Sequence, residues 1–364
     1  MRTLPSRRIA LAALLGAALA PAMAQTQDEF GRAGLQGAGS TFVHPLAARW
    51  VREYRHHLAG GIAHATPNAG LDDDMNGAAL DYEPVGSLAG MARLRAGAVD
   101  FALSEVPLSS AELRRQRLVQ FPIVLGSIAV AANLPGLRGE LRLSGPVLAD
   151  IYLGRIQRWN DAAIRALNPQ LALPDAAIAV VGRSDGSGTT YTLTHYLAGQ
   201  SADWRAKAGA DAQVRWPVGR GVRGSSGMAE ALRRTPNALG YLDAVQARQA
   251  GLTVVALRNA AGAFVAPSAA AAAEAAQSAR WDAARDFDQV LVDSPGVASY
   301  PVVATVFGLM RDNLRSGRQQ RTLAFFDWAL VEGRLAAEQL GYVPLPVAVI
   351  GTVRETLAAR AAPL

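Results

Sequence analysis

A chain of 364 residues, half of them hydrophobic, is long enough to build two domains with cores of their own. It has no cysteine, which excludes disulfides and a lipid-modified cysteine anchor, so the core must hold by packing alone. The formal charge of +6 is carried almost wholly by arginines scattered over helix faces, without the basic runs and interleaved aromatics of a nucleic-acid-binding surface.

The first 24 residues have the layout of an export signal. Arg2, Arg7 and Arg8 form a basic start, and Ile9 to Ala20 is an apolar stretch too short to span a bilayer. Ala22-Met23-Ala24 then places small residues ahead of a cut at Gln25. Ser6-Arg7-Arg8 matches the start of a twin-arginine signal, but Ala10 stands where such signals carry Phe, which favours the general export route. Three arginines leave with the signal, and the charge falls from +6 to +3. No later apolar run reaches about 18 residues without interruption by charge. The mature chain is therefore expected to be soluble, in the periplasm of a two-membrane bacterium.

Leu35 to Phe42 reads as a short strand breaking into a Gly/Ser/Thr turn, with a helix from Pro45 carrying Leu46, Trp50, Val51 and Tyr54 on its apolar face. Such a turn is either an ordinary helix cap or a donor-rich anion seat. Gly60 to Ala79 is polar and rich in Gly and Asp, as in a surface loop. Ala79 to Val85 predicts a strand ending at Gly86-Ser87, and Leu88, Met91 and Leu94 predict the helix that follows. Val99 to Leu103 is a third strand, delivering Ser104 and Glu105 at its end, with a helix from Ser109 or Ser110. Phe121 to Ala132 has no polar alternation and predicts a fully buried strand that crosses between domains. Helices are expected from Ser144 to Leu153 and from Asp161 to before Asn168-Pro169.

The most distinctive stretch is Val180 to Leu197, VVGRSDGSGTTYTLTHYL. A β-branched run turns through glycines into a helix, so unpaired backbone N–H groups and the positive end of a helix dipole meet Ser187, Thr189 and the Arg183 guanidinium. That suits an oxyanion; the bland alternative is a Gly/Ser connection. A nucleotide P-loop is excluded, because no lysine follows these glycines and Lys207 is the only lysine in the chain. A nucleophile elbow is disfavoured, because Asp185 stands where the first glycine of G-x-S-x-G belongs.

Gly219 to Gly224 matches G-x-G-x-x-G by letter, with Asp243 about twenty residues on. The preceding segment is short and contains Pro217, which speaks against a dinucleotide fingerprint and for a mobile loop capping a helix from Met228 to Arg234. Ala260 to Ser278 predicts an exposed alanine-rich helix after Pro267. Tyr300 to Phe307 predicts a second crossover strand, and late helices are expected at Phe325 to Val331 and Ala336 to Leu340. Strands alternating with helices imply an α/β architecture with mainly parallel sheets, and two long buried strands imply two lobes with a cleft between them.

The stretches GAGSTFVHPLAARWVREY, VDFALSEVPLS, QFPIVLGSIAVAANLPG, LADIYLGRIQRWNDAAIRALNP, VVGRSDGSGTTYTLTHYL, WPVG and FFDWAL, in this order, resemble the PstS family. These are the periplasmic phosphate-binding proteins of ATP-driven phosphate uptake. The resemblance runs from about Leu35 to about Thr356, nearly the whole mature chain. It implies an α/β bilobal periplasmic-binding-protein fold of type II, two sheet-and-helix lobes joined by crossover strands. The first lobe is expected over residues 25–124 plus 301–364 and the second over 125–300. It further implies a monomer without metal or cofactor that closes on one phosphate and hands it to an inner-membrane ABC permease.

Carried onto this sequence, the resemblance puts Thr41 and the backbone N–H of Phe42 on the ligand, with Ser87 from the second turn. Arg183, Ser187, Gly188 and Thr189 come from the other lobe, and Asp185 pairs with and orients the arginine. Two positions depart from the family. Glu105 follows Ser104 where the family usually has aspartate; this carboxylate accepts a hydrogen bond from a protonated phosphate oxygen and repels sulfate, which has no proton to give. Leu88 is bulkier than the family's glycine- and serine-rich turn. The competing class is a phosphatase or hydrolase using Ser187 with His195; a third reading, within transport, is a paralogue tuned to another tetrahedral oxyanion, to weak phosphate binding, or to a sensory or secretion-linked role. Against catalysis, the histidines show no metal-binding or nucleophile-activating pattern.

Overall fold

The computed structural model describes residues 34–59 and 80–362; the expected export signal and the expected loop from Gly60 to Ala79 lie outside the described residues. Three strand–turn–helix units come first. β1 (Leu35–Gly39) leads into α1 (His44–Leu58), β2 (Leu80–Glu83) into α2 (Ser87–Ala96), and β3 (Phe101–Ser104) into α3 (Ser110–Gln116). α1 buries Leu46, Ala47, Trp50, Val51 and Tyr54, which recur at helical spacing, and Pro45 sits in its first turn, where a missing N–H costs nothing. α3 starts at a reciprocal cap in which Ser109 and Glu112 satisfy each other's backbone N–H groups. β1 pairs in parallel with β2 on one side and β3 on the other, so the carboxyl ends of all three strands share one edge.

The middle of the chain runs through β4 (Leu118–Ala132), β5 (Leu141–Leu143), α4 (Gly145–Tyr152), α5 (Ala162–Leu167), β6 (Ala179–Arg183), α6 (Gly188–Gln200) and α7 (Ala202–Lys207). It continues with β7 (Arg220–Val222), α8 (Gly224–Arg234), β8 (Ala238–Asp243), α9 (Ala244–Gln249), β9 (Thr253–Arg258), β10 (Phe264–Val265) and α10 (Ala269–Gln277). Then follow β11 (Leu291–Val292), β12 (Val302–Arg311), α11 (Gly317–Val331), α12 (Arg334–Gln339), β13 (Val343–Pro344) and α13 (Val347–Ala361).

Every residue of β4 is buried, and the strand belongs to both halves of the molecule. Leu118 to Ser127 pair antiparallel with β12, while Ile128 to Ala132 pair antiparallel with β8. Pro122, which cannot donate to a ladder, is accommodated where the register with β12 shifts between Val306 and Phe307. The strand path β2-β1-β3-β12-β4-β8-β6-β7 thus joins two α/β lobes. β6 pairs in parallel with both β7 and β8, so the second lobe also gathers carboxyl ends at one edge.

Three expectations are corrected. The sheet is mixed rather than mainly parallel, because the long strands β4 and β12 run antiparallel to each other and to β8 and β3. The G-x-G-x-x-G run is no mobile loop: Arg220 to Val222 form β7, and the helix begins at Gly224, four residues ahead of Met228. The alanine-rich tract is not exposed, since Ala271, Ala272, Ala275 and Ala276 of α10 are buried and the helix packs against β4. Side chains without bulk allow that close approach. The reading of the sequence assigns no element to the last helix, although Val349, Ile350, Val353 and Leu357 recur there at helical spacing and are buried.

Candidate functional site

The edges built by β1–β3 and by β6–β7 face each other, and their turns touch. In the first lobe the chain leaves β1 at Gly39 and β2 through Gly86, whose φ of 98° lies in the region that side chains disfavour. This lets Gly86 donate its N–H to the Gly39 carbonyl at 2.8 Å and sets Ser87 at the start of α2. Ser40, Ser87 and Glu105 are then brought together, all buried. The Ser40 hydroxyl donates to Glu105 Oε1, and the Ser87 hydroxyl donates to Glu105 Oε2 at 3.1 Å. Ser40 Oγ also accepts the N–H groups of Phe42 at 3.1 Å and Val43 at 3.3 Å. Tyr82 donates its hydroxyl to the Ser40 carbonyl at 2.9 Å and Tyr342 to the Phe42 carbonyl at 2.8 Å, which fixes the turn from both sides.

Burial pushes the Glu105 carboxyl above its ordinary value; the hydroxyls of Ser40 and Ser87 and the charge of Arg183 pull the other way and do not compensate. Burial likewise raises the Tyr82 phenol, and the Glu105 charge adds to it.

In the second lobe Arg183 ends β6, its N–H donating to the Tyr241 hydroxyl at 3.0 Å and its carbonyl accepting from Trp216 Nε1 at 2.8 Å. Its guanidinium is held two-pronged by Asp185, with Nε 2.7 Å from Oδ1 and Nη2 on Oδ2. Gly224 N–H is the third donor to the Asp185 carboxylate, reaching Oδ1 at 3.2 Å. Burial pushes Asp185 upward, but the arginine's hydrogen bonds and charge, together with Gly224, outweigh it and leave the carboxyl below its ordinary value. Ser187 caps α6, its Oγ accepting from the Thr190 N–H at 3.2 Å, and Gly188 and Thr189 are buried in the first turn.

The lobes meet through polar groups. Arg183 Nη2 donates to Thr41 Oγ1 at 3.3 Å, Gly188 N–H donates to Ser87 Oγ at 3.1 Å, and Leu88 N–H donates to the Gly186 carbonyl at 3.2 Å. A Cβ on Gly188 would lie 2.0 Å from Glu105 Oε2, so only glycine allows that approach. Leu88, the bulky departure in the second turn, lies over Gly186, where an added Cβ would come within 2.7 Å of it.

All of Thr41, Phe42, Ser87, Glu105, Arg183, Asp185, Ser187, Gly188 and Thr189 therefore lie at or beside this junction. Their roles differ: Phe42 N–H is bonded to Ser40, and the Ser187 hydroxyl is a helix cap. Two residues escape the sequence reading. Ser40 sits one position before Thr41 in the same turn, and its hydroxyl is the one that reaches Glu105. Ser225 joins Thr41 across the lobes, with Oγ 2.9 Å from Thr41 Oγ1 and its N–H donated to the same atom at 3.2 Å. The signal for Ser225 was the third glycine of G-x-G-x-x-G, which opens α8 rather than ending a loop. His195 bonds the Tyr191 carbonyl through Nδ1 at 2.8 Å, and its ring lies on Tyr191. Among the described residues no group of three metal-ligating side chains occurs, and no helix is long and apolar enough to cross a membrane.

The PBP superfamily domain matches residues 24–331. The phosphate-binding protein PstS of Xylella fastidiosa strain 9a5c is 41% identical over 314 residues, covering 86% of this chain and 81% of that protein. PstS of Haemophilus influenzae is 38% identical over 324 residues, covering 88% of this chain and 91% of that one. Among solved structures, a high-affinity periplasmic phosphate-binding protein, PfluDING, superposes with a TM-score of 0.66 at 21% identity, covering 88% of this chain and 93% of that one. A phosphate ABC transporter substrate-binding protein from Clostridium perfringens gives 0.59 at 17%, covering 86% and 100%. The fold of those bilobal proteins is the fold described above, and the extent and identity of the sequence matches place this chain in the PstS phosphate-binding protein family.

Proposed function

We propose that the mature chain captures inorganic phosphate in the periplasm, between the turns that end β1–β3 and the turn that ends β6, and delivers it to the ABC permease of the inner membrane. The observation that carries this reading is the junction itself: neutral hydroxyl and backbone N–H donors from two lobes converge with one guanidinium that is already neutralised by Asp185. With Glu105 beside them, the formal charge of the site is negative. Affinity for an anion then rests on preorganised hydrogen bonds in a water-poor junction, completed by lobe closure.

Thr41, the Phe42 N–H, Ser87, Arg183, Ser187, Gly188 and Thr189 are the proposed donors. Glu105 is the proposed acceptor for the proton of HPO₄²⁻ or H₂PO₄⁻. A carboxylate set against an oxyanion without a proton is costly, so sulfate is rejected and arsenate competes. The lobes are assigned as residues 25–124 plus 301–364, and 125–300. Export follows from the basic and apolar start of the chain, and capture involves no bond making or breaking.

Isothermal titration of the mature protein with phosphate, arsenate and sulfate tests the reading. Saturable one-to-one binding of phosphate and arsenate with no sulfate heat is expected. Equal binding of sulfate, or no phosphate binding, removes it.

A further inference from the structure

Two hydroxyl donors of the junction, those of Ser40 and Ser87, already have partners within the chain. A serine hydroxyl has one proton to give and two lone pairs to accept with. Ser40 uses all three, donating to Glu105 Oε1 and accepting from the Phe42 and Val43 N–H groups. Ser87 donates to Glu105 Oε2 and accepts the Gly188 N–H from the opposite lobe. Two hydroxyl protons therefore end on one buried carboxylate, with three backbone N–H groups tied up behind them. An ionised carboxylate is itself an oxyanion, acceptor at every lone pair, and it satisfies the kind of donor that a phosphate oxygen seeks. Reach matters: the extra methylene of glutamate over aspartate carries the carboxylate to the first turn of α6, within 2.0 Å of where a Cβ on Gly188 would stand.

We infer that Ser40 and Glu105 form an internal plug of the phosphate site, in which the Glu105 carboxylate holds the Ser40 and Ser87 hydroxyls in the ligand's stead and phosphate binds by displacing it. The inference rests on the phosphate reading above and adds to it two determinants of affinity. Ser40 acts in two ways, anchoring one oxygen of the plug and withholding the Phe42 N–H. Once displaced, Glu105 is free to take the proton of the incoming anion.

The test is phosphate affinity, by titration calorimetry, of the native mature protein, Ser40→Ala and Glu105→Asp, with melting curves to verify folding. Ser40→Ala frees one carboxylate oxygen and the Phe42 N–H, and is expected to bind phosphate about fivefold tighter or better, the equivalent of one ordinary hydrogen bond. Glu105→Asp, too short to engage both hydroxyls, is expected to tighten binding as well while keeping sulfate out. Folded variants that bind phosphate no tighter than the native protein overturn the plug and leave the phosphate reading standing. If Ser40→Ala does not fold, Glu105→Asp alone decides on the same criterion. Absence of phosphate binding by all three proteins overturns the phosphate reading, and the plug with it.

Discussion

Two carboxylates stand on opposite sides of the junction, and they behave oppositely. Asp185 follows β6 and is gripped by both arms of Arg183, so its pKa lies below the ordinary value although burial works against it. Glu105 follows β3 and has only hydroxyl partners in contact, so burial wins and its pKa lies above. The same chemical group serves two purposes because Asp185 is hydrogen-bonded to the guanidinium, whereas Glu105 feels that charge only across the junction. Asp185 holds the arginine's charge and direction. Glu105 remains responsive to protons and to whatever offers a better partner to Ser40 and Ser87. Charge-paired rigidity is in the second lobe, and adjustable hydrogen bonding is in the first.

The comparison is broken most severely at Arg183. Arg183→Ala leaves Asp185 buried without its cation and removes a charged donor, and phosphate affinity is expected to fall on the order of a hundredfold or more in calorimetry. Gly188→Ala attacks the contact between the lobes instead. An alanine Cβ would stand 2.0 Å from Glu105 Oε2 and 2.7 Å from Glu105 Cβ, so the two turns cannot meet as they do; the melting temperature is expected to fall and phosphate binding to weaken by more than about tenfold.

Melting curves against pH sharpen the contrast between the carboxylates. Asp185, with its lowered pKa, contributes stability that is present above its ordinary value of 3.8 and lost as pH falls through its value in the folded protein. Asp185→Asn is therefore less stable than the native protein at pH 7, by about 3 kcal/mol, with the gap closing in strongly acid solution. For Glu105, with its raised pKa, stability is fully present below its ordinary value of 4.5 and lost as pH rises through its folded value. Glu105→Gln is expected to melt above the native protein at pH 8 and to lose that advantage at pH 4. Tyr82, Tyr342 and Arg183 are the other ionisable groups around Glu105; the two phenols, pushed far upward by burial, remain neutral throughout. A smaller effect is expected at Ser225→Ala, which removes one contact with Thr41 and weakens phosphate binding about fivefold.

Much of this arrangement was legible in the residues. Strand-to-helix turns rich in Gly, Ser and Thr mark Ser40–Phe42, Ser87 and Gly186–Thr189 because small residues and helix starts expose backbone donors, and that chemistry is local. β4 was visible because fifteen consecutive residues are buried, so no polar alternation interrupts them. What was not legible depends on tertiary placement. The partnership of Ser40 with Glu105 spans 65 positions, and that of Thr41 with Ser225 spans 184. β7 was hidden because three residues, two of them glycine or arginine in exposed positions, have no apolar pattern and pair only because β6 lies beside them. α10 was misjudged because alanine is equally at home on an exposed helix and at a tight helix–sheet contact, and only β4 decides between them.

The central claim is that phosphate sits between the two carboxylates and takes its donors from Glu105. A crystal structure of the mature protein grown with phosphate tests it most directly. The account predicts phosphate bonded to Arg183, the Gly188 N–H and the Ser87 hydroxyl, with Glu105 released from Ser87 and accepting the anion's proton. Phosphate bound elsewhere, or bound while Glu105 still holds both Ser40 and Ser87, would contradict it.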